Sequence, residues 1–441
     1  MYIIIAGAGS VGYSLAKILS YKHSVVVIDK DFDKLNTISE DLDILTIHGD
    51  IENPKTFTKL EIDEANLYIA VTNNDEANLL STIIVDDVVN VQSKIVRLKN
   101  DSFLSSKILE KLSINFAVFP NLTTAKKVKA LLEFPRLNNV KYFHQTSFKL
   151  ASIIVDYKGD HRYLLSDILK GNIISVGIER DKNFEIVDNN FLLEKDDLLY
   201  LFGDIEEIRE VAKKLNNFMP DIIKKVVIFG ANELSQKIAK EILSKKIQIK
   251  IIDKDKKLCK EALQYLDGEV TVINSNFEDS QLFEEEGVDS ADMVISTYLN
   301  DEKNIIKAIE SKDLGVKKVV AINSDKDYYS LMHKLGLIVV RGPKAGAYYA
   351  ILENISSSQI VTQRHYCGGA GVIFIRKIYS NSESIGKNII ELKIDSIKAI
   401  LIRDNEIINI SSDIFLKAGD TIALFGKIDK KDEMERWIYE L

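Results

Sequence analysis

The chain has 441 residues, 46% hydrophobic and 28% charged, with a net charge of −8 at pH 7. At roughly 100–200 residues per domain, that length points to several domains, and the composition excludes a wholly disordered chain. The acidic balance excludes non-specific binding to nucleic acid, because an acidic surface repels phosphate. Short apolar runs alternate with helical patterns, the signature of a parallel sheet with crossover helices. Strands are predicted at Ile3–Ala6, Ser24–Ile28, Asp43–Ile47, Leu67–Val71, Lys94–Leu98 and Ala117–Phe119. A helix over Thr123–Phe134 follows, then a strand-rich segment in which Ile173–Glu179 and Phe184–Ile186 flank the polar turn Arg180 to Asn183. The succession then recurs, with strands at Val226–Phe229, Gln248–Ile252, Glu269–Ile273, Met293–Ser296, Lys318–Ile322 and Leu337–Val340. A helix over Ala345–Ile355 and a hairpin of Lys398–Arg403 and Glu406–Ile410 around Asp404-Asn405 complete it.

The recurrence is a tandem duplication. Gly7 matches Gly230, 223 residues on, and Asp29 matches Asp253, 224 on. The run Asn74 to Asn78 (NDEAN) matches Asn300 to Asn304 (NDEKN), 226 on, and DDLLYLFG ending at Gly203 matches GDTIALFG ending at Gly426, 223 on. Such collinear matches indicate two copies of about 220 residues. The fold class is α/β: two tandem Rossmann-like parallel-sheet domains, each followed by a small α+β domain. The domain limits expected are 1–135, 136–220, 221–357 and 358–441, with Met219-Pro220 breaking the helical pattern between copies. The connecting helices carry apolar residues at helical spacing (Val128, Leu131, Leu132, Phe134; Ala347, Ala350, Ile351, Ile355). These can bury against the parent domain or against a neighbouring chain, and the sequence leaves both open.

Gly7-Ala8-Gly9-Ser10-Val11-Gly12 is a full G-x-G-x-x-G between a strand and a helix, the context that gives the pattern meaning. Gly7 permits a tight turn, Gly9 lets backbone approach a pyrophosphate, and Gly12 lets helix and strand pack closely. The helix N-terminus offers free N–H groups and partial positive charge to phosphates. Asp29 ends the second strand, 22 residues after Gly7, where a carboxylate accepts ribose hydroxyls and repels a 2′-phosphate, although Lys30 lies beside it. The second copy reads Gly230-Ala231-Asn232-Glu233-Leu234-Ser235. There a side chain at Asn232 crowds the pyrophosphate and Glu233 adds an anion, while Asp253 is retained; a weakened or altered site is expected.

Further residues accompany the loop: His48-Gly49-Asp50 after the third strand, Ala70 to Asn78 (AVTNNDEAN) after the fourth, Arg97 in the fifth, and Phe119-Pro120 after the sixth. With these, over its full length, the chain resembles the TrkA family, peripheral cytoplasmic subunits of Trk potassium-uptake systems built from two tandem RCK (KTN) domains. The resemblance implies NAD(H) or ATP/ADP as a regulatory ligand across the strand ends. Gly7 to Gly12 would hold phosphates and Asp29 the ribose, with Asp50, Thr72 and Asn73 lining the cleft and Arg97 on phosphate. It also implies a tetrameric ring, on the inner face of the membrane, beneath a TrkH-type potassium channel subunit. The residues leave other roles open: Asp50 as a helix cap, Asp75 and Glu76 as N-capping and dipole-compensating residues before a helical run from Ala77 to Val85, Arg97 paired with an acidic neighbour. In the second copy Tyr298 is expected at the Thr72 position, Ala321 at that of Arg97, and Asn274-Ser275-Asn276 at the Gly-Asp step.

A dinucleotide fold also suits an NAD-dependent oxidoreductase, the alternative from another class, which needs a proton donor or acceptor facing the nicotinamide. The single Tyr-x-x-x-Lys, Tyr13 with Lys17, lies on the first helix behind the glycine loop. His23, His48, His144, His161, His333 and His365 show no metal-ligand spacing, and Glu284-Glu285-Glu286 reads as a solvated face. Cys259 and Cys367 furnish neither a disulfide framework nor a thiolate zinc site, and Cys367-Gly368-Gly369 reads as a flexible junction with a lone thiol. No metal site and no catalytic group is expected. Met1 to Ile5 reach Gly7 too soon for a signal peptide, and no apolar run approaches the ~20 residues of a membrane span, so a cytoplasmic location is expected.

Overall fold

The first copy's strands form a six-stranded parallel sheet in the order third, second, first, fourth, fifth, sixth: Leu45–His48, Ser24–Asp29, Tyr2–Ala6, Leu67–Ala70, Lys94–Arg97, Phe116–Val118. The second copy repeats that order with Thr271–Asn274, Gln248–Asp253, Lys225–Phe229, Met293–Ser296, Lys318–Asn323 and Ile338–Arg341. This is the doubly wound dinucleotide-binding order, whose ligand crevice lies where the order reverses, between the first and fourth strands. The computed structural model describes residues 1–157, 162–276, 283, 285–355, 360–389, 397–410 and 414–441, so His161 and Glu284 lie outside the described residues. The first strand is covered on both faces, Ile3, Ile4 and Ile5 all being fully buried, which is why it reads as an unbroken apolar run.

The chain divides into two compact units, and the division does not follow the duplication: residues 1–123 group with 342–355, and residues 124–341 with 356–441. In the first unit the helix Pro343–Glu353 packs against the helix Ser10–Leu19 and the strand Phe116–Val118. Its buried side includes Gly346 and Ala347, whose small size permits a close helix–helix approach. In the second unit Ala125, Val128 and Leu131, from the helix Pro120–Glu133, join the core of the second sheet with Val226, Ile228, Ile238 and Val340. Each connecting helix therefore covers the other copy's sheet. The expected limits at 135 and 357 leave each helix with the domain before it, whereas the compact units group each with the other copy's sheet. The apolar stripe reports that a helix is covered; it carries no information on which of two similar sheets covers it.

Within the second unit, each small part is a five-stranded antiparallel sheet closed by a helix. The first runs Asn183–Glu185, Ile173–Arg180, Leu198–Gly203, Thr146–Ile154, Asn139–Phe143, with helix Ile205–Leu215. The second runs Glu406–Asn409, Lys398–Arg403, Thr421–Lys427, Gly371–Lys377, Val361–Tyr366, with helix Lys431–Glu440. Both hairpin turns place two residues at positive φ, Asp181 (50°) with Lys182 (63°) and Asp404 (52°) with Asn405 (60°), the twist that suits a two-residue hairpin loop. Each sheet carries the same bidentate pair on an almost fully buried carboxylate, Arg180 with Asp197 and Arg403 with Asp420. The sheets pack face to face through one shared core, and the equivalent residues Phe202 and Phe425 meet with ring centroids 5.0 Å apart.

Candidate functional site

At the carboxyl end of the first strand, Gly7 turns with φ +114° and Gly9 precedes the helix Ser10–Leu19 in extended backbone. No side chain caps that helix, so its first N–H groups lack a side-chain acceptor. A Cβ built on Gly9 would meet nothing within 4 Å, whereas one on Gly12 would lie 1.8 Å from the Gly7 carbonyl oxygen. Gly12 thus serves the helix–strand contact, and Gly9 leaves open space over the loop. Ala8 and Val11 are buried beneath, and Ser10 is exposed. Asp29 faces the loop: Oδ2 accepts from Ala8 N at 2.5 Å and Oδ1 from Asp31 N at 2.9 Å. A carboxylate has about four acceptor positions, so these bonds leave capacity for ribose hydroxyls.

Across the crevice, Arg97 Nη1 donates to Thr72 O at 3.1 Å and Asn73 Oδ1 at 2.8 Å. Its Nε is buried without a hydrogen-bond partner. Burial pulls the guanidinium pKa down and the Asp75 charge opposes this. Asp50 is exposed, and its Oδ1 accepts from Glu52 N at 3.0 Å in a local turn; the cap of the helix Pro54–Thr58 is Asn53. Neighbouring residues hold the crevice in shape. Asn74 caps the helix Asp75–Val88, so the cap is Asn74 and neither Asp75 nor Glu76. The Asp75 carboxylate instead grips Lys99 N and Asn100 N at 2.9 Å. Asn78, fully buried, joins the fourth and fifth strand ends: Oδ1 accepts from Thr72 N and Oγ1, and Nδ2 donates to the carbonyls of Thr72 and Arg97. The sequence singles out Asn78 only as the last letter of a repeated run, and that recurrence in both copies is the signal for its role.

The second copy repeats the scaffold and places larger side chains at the loop. Asn304 bonds Tyr298 and Ile322 as Asn78 bonds Thr72 and Arg97. Tyr298 thus stands at the Thr72 position, but the counterpart of Arg97 is Ile322, one residue beyond the expected Ala321, because Ala321 pairs with Ser296 as Val96 pairs with Ala70. Ser275 N donates to Asp253 O as Gly49 N does to Asp29 O. Asp253 again holds the loop, through Ala231 N at 2.8 Å, but here it is buried. Asn232 Oδ1 accepts from Leu234 N at 3.0 Å and Ser235 N at 3.1 Å, and its Nδ2 donates to Thr297 O at 2.6 Å. The amides that the first loop leaves uncapped are closed by a side chain. Glu233 adds an exposed carboxylate in the first turn. The Tyr298 ring comes within 3.5 Å of a Cβ built on Gly230, and burial with the Asp253 charge raises its phenol pKa.

Elsewhere in the second unit the structure brings together three residues that spacing separates. His333 Nε2 lies 2.6 Å from Glu179 Oε2, and Cys367 Sγ lies 3.0 Å from that oxygen and 3.9 Å from the imidazole nitrogen. The Cys367 thiol is therefore neither lone nor part of a loose junction: it is buried, in a tight turn where Cys367 and Gly368 take positive φ. Burial, then the hydrogen bond to Glu179, pushes the thiol pKa up. For Glu179, burial alone raises the pKa, and the bonds from His333 and Cys367 bring it below the ordinary value. Tyr13, by contrast, is a half-buried helix residue bonded to Asp41 at 2.8 Å.

A doubly wound sheet with a glycine loop, present twice in one chain and each time followed by a small antiparallel domain, defines a tandem nucleotide-fold protein. The chain belongs to the TrkA-N domain family, which matches it at residues 3–120 and again at 226–343. It is similar to the Trk system potassium uptake protein TrkA homolog of Archaeoglobus fulgidus, 27% identical over 441 residues and 99% of both chains. It is likewise similar to the Trk system potassium uptake protein TrkA of Halomonas elongata, 26% identical over 98% of this chain and 96% of the relative. Among solved structures, the GsuK channel bound to NAD superposes with a TM-score of 0.59 at 17% identity, covering 100% of this chain and 79% of that one. The GsuK RCK domain gives 0.56 at 16% identity, over 100% and 95%. At such identities the likeness is one of fold. Among the described residues, no helix is long and apolar enough to cross a membrane.

Proposed function

We propose that the chain is a nucleotide-responsive regulatory subunit of a Trk-type potassium uptake system, with its working ligand site at the first glycine loop. The observation that carries this is the contrast between the loops: Gly9 leaves the helix uncapped under open space, while Asn232 caps its counterpart. The names of the full-length relatives support potassium uptake as the process. The NAD and ADP complexes of GsuK support NAD(H) or ATP/ADP as the ligand class. The amides after Gly9 would receive phosphate, Asp29 the ribose, and Arg97, with its unpartnered Nε, a further anionic oxygen. Asp50, Thr72 and Asn73 would border the ligand. The nucleotide supplies anionic and diol contacts that favour one conformation, so it acts as effector and not as reactant. On this reading the partner is a TrkH-type membrane subunit beneath which four copies form a ring on the cytoplasmic face.

Calorimetric titration of the full chain with NADH and, separately, ATP tests the reading. One site per chain is expected. Two would overturn the assignment of a single working copy. No binding of either ligand would overturn the sensor, and steady consumption of NADH with a small carbonyl substrate would favour the oxidoreductase.

A further inference from the structure

We propose that Glu179, His333 and Cys367 form a binding site for a zinc-class divalent cation. One donor atom from each residue, all three within 4.8 Å of one another, gives a carboxylate oxygen, an imidazole nitrogen and a thiol sulfur converging on one point. Four-coordinate zinc, with bonds of about 2.0–2.3 Å, holds its ligand atoms roughly 3.3–3.8 Å apart. The Cys367–His333 separation of 3.9 Å lies just beyond the upper end of that range. The two contacts to Glu179, 2.6 and 3.0 Å, need to open by less than about 1 Å when an ion replaces the hydrogen bonds. Sulfur and imidazole donors select zinc and its softer neighbours over calcium or magnesium, which take oxygen ligands.

The surrounding backbone is shaped for this convergence. Cys367 sits at φ +51° and Gly368 at +60°, turning the thiol back toward the helix Tyr328–Lys334 that carries His333. A Cβ on Gly368 would lie 2.6 Å from His333 Cδ2, so only glycine lets the ring approach. His333 and Cys367 border a small cavity with Tyr200, Tyr329 and Tyr366, which leaves a fourth position for water or another ligand.

The cluster is not a requirement of the duplicated scaffold. Arg180 and Arg403 hold equivalent places, so the counterpart of Glu179 is Ile402, a buried apolar residue. The three donors come from a small-domain strand, a helix of the second Rossmann-like part and a turn of the other small domain. An ion there would cross-link all three. One thiolate serves here, with partners 34 and 188 residues away, so no short ligand spacing marks the site in the sequence.

The test uses full-length protein stripped with a chelator and titrated with Co²⁺, whose bond to a thiolate gives a charge-transfer absorption that Zn²⁺ abolishes by displacement. One Co²⁺ per chain with that band is expected. Because the chain has 2 cysteines, retention of the band in Cys259→Ser assigns it to Cys367, whether or not Cys367→Ser folds. His333→Gln and Glu179→Gln should each weaken affinity at least about tenfold. No charge-transfer band in the wild type, or its loss in Cys259→Ser, would overturn the proposal. The outcome is independent of nucleotide titration.

Discussion

Asn232 Oδ1 accepts a hydrogen bond from Ser235 N at 3.1 Å, so the second glycine loop closes its own helix N-terminus. The same oxygen takes Leu234 N at 3.0 Å. The first copy has glycine at the equivalent place and no side-chain cap. One atom group thus separates two loops of the same ancestry: a backbone cradle open to an anion, and one occupied by an amide oxygen.

Transplanting that closure is the most direct check. Gly9→Asn should abolish nucleotide binding to the first copy without harming the fold, because a Cβ there meets nothing within 4 Å. An Asn cap in place of Gly is worth a few tenths of a kcal/mol. Calorimetry should show lost binding while thermal melting shows a midpoint unchanged or slightly raised. Undiminished affinity would remove the loop from the site.

Arg97→Ala should weaken phosphate-bearing ligands by ~1.5–3 kcal/mol, the worth of a hydrogen bond to a charged group. Its contacts to Thr72 O and Asn73 Oδ1 are lost as well, so Arg97→Lys is a useful companion. Lysine restores charge without the planar fork and should recover only part of the affinity. Equal affinity in all three proteins would assign Arg97 to the scaffold.

Leu131→Ala probes the exchanged helix. Leu131 is 1% exposed within the second copy's core, and such truncations cost about 2–5 kcal/mol. Hydrogen exchange should lose protection in Lys225–Phe229 and its neighbours, leaving Tyr2–Ala6 protected. The reverse pattern would mean that the helix serves its own copy.

His23 sets a pH dependence. Burial, then the charge of the N-terminal ammonium, pulls its pKa from 6.5 to about 4. Between those values the unfolded chain holds a proton that the folded chain does not, so stability is complete above pH 6.5 and falls as pH drops toward 4. At about 1.4 kcal/mol per unit, discounted for solvent screening, the loss by pH 5 is about 1 kcal/mol. Urea denaturation of His23→Gln should show a pH dependence flatter by about that amount; parallel curves would exclude His23.

Legibility followed the range of the interactions. The strands lie close to their sequence ranges because buried parallel strands are unbroken apolar runs, as in Ile3 to Ile5. The difference between the two loops was legible at Asn232, since asparagine there carries a polar side chain that glycine lacks and that caps the following helix. The Arg97 counterpart slipped by one residue because the loops between the fourth and fifth strands differ in length, which four matched motifs cannot resolve. The Asp75 contacts to Lys99 N and Asn100 N join segments 24 and 25 residues apart that carry no mutual pattern.

The amino-acid sequence by itself determined the duplication, the two doubly wound sheets and the asymmetry of their glycine loops, because hydrophobic period, glycine placement and repeated motifs are local properties of the chain. Tertiary structure alone decided which sheet each connecting helix covers, how the second loop is closed, and that Glu179, His333 and Cys367 meet. Those depend on which of several equally apolar or polar surfaces come into contact, and contacts between distant segments leave no periodic trace in the residues that make them.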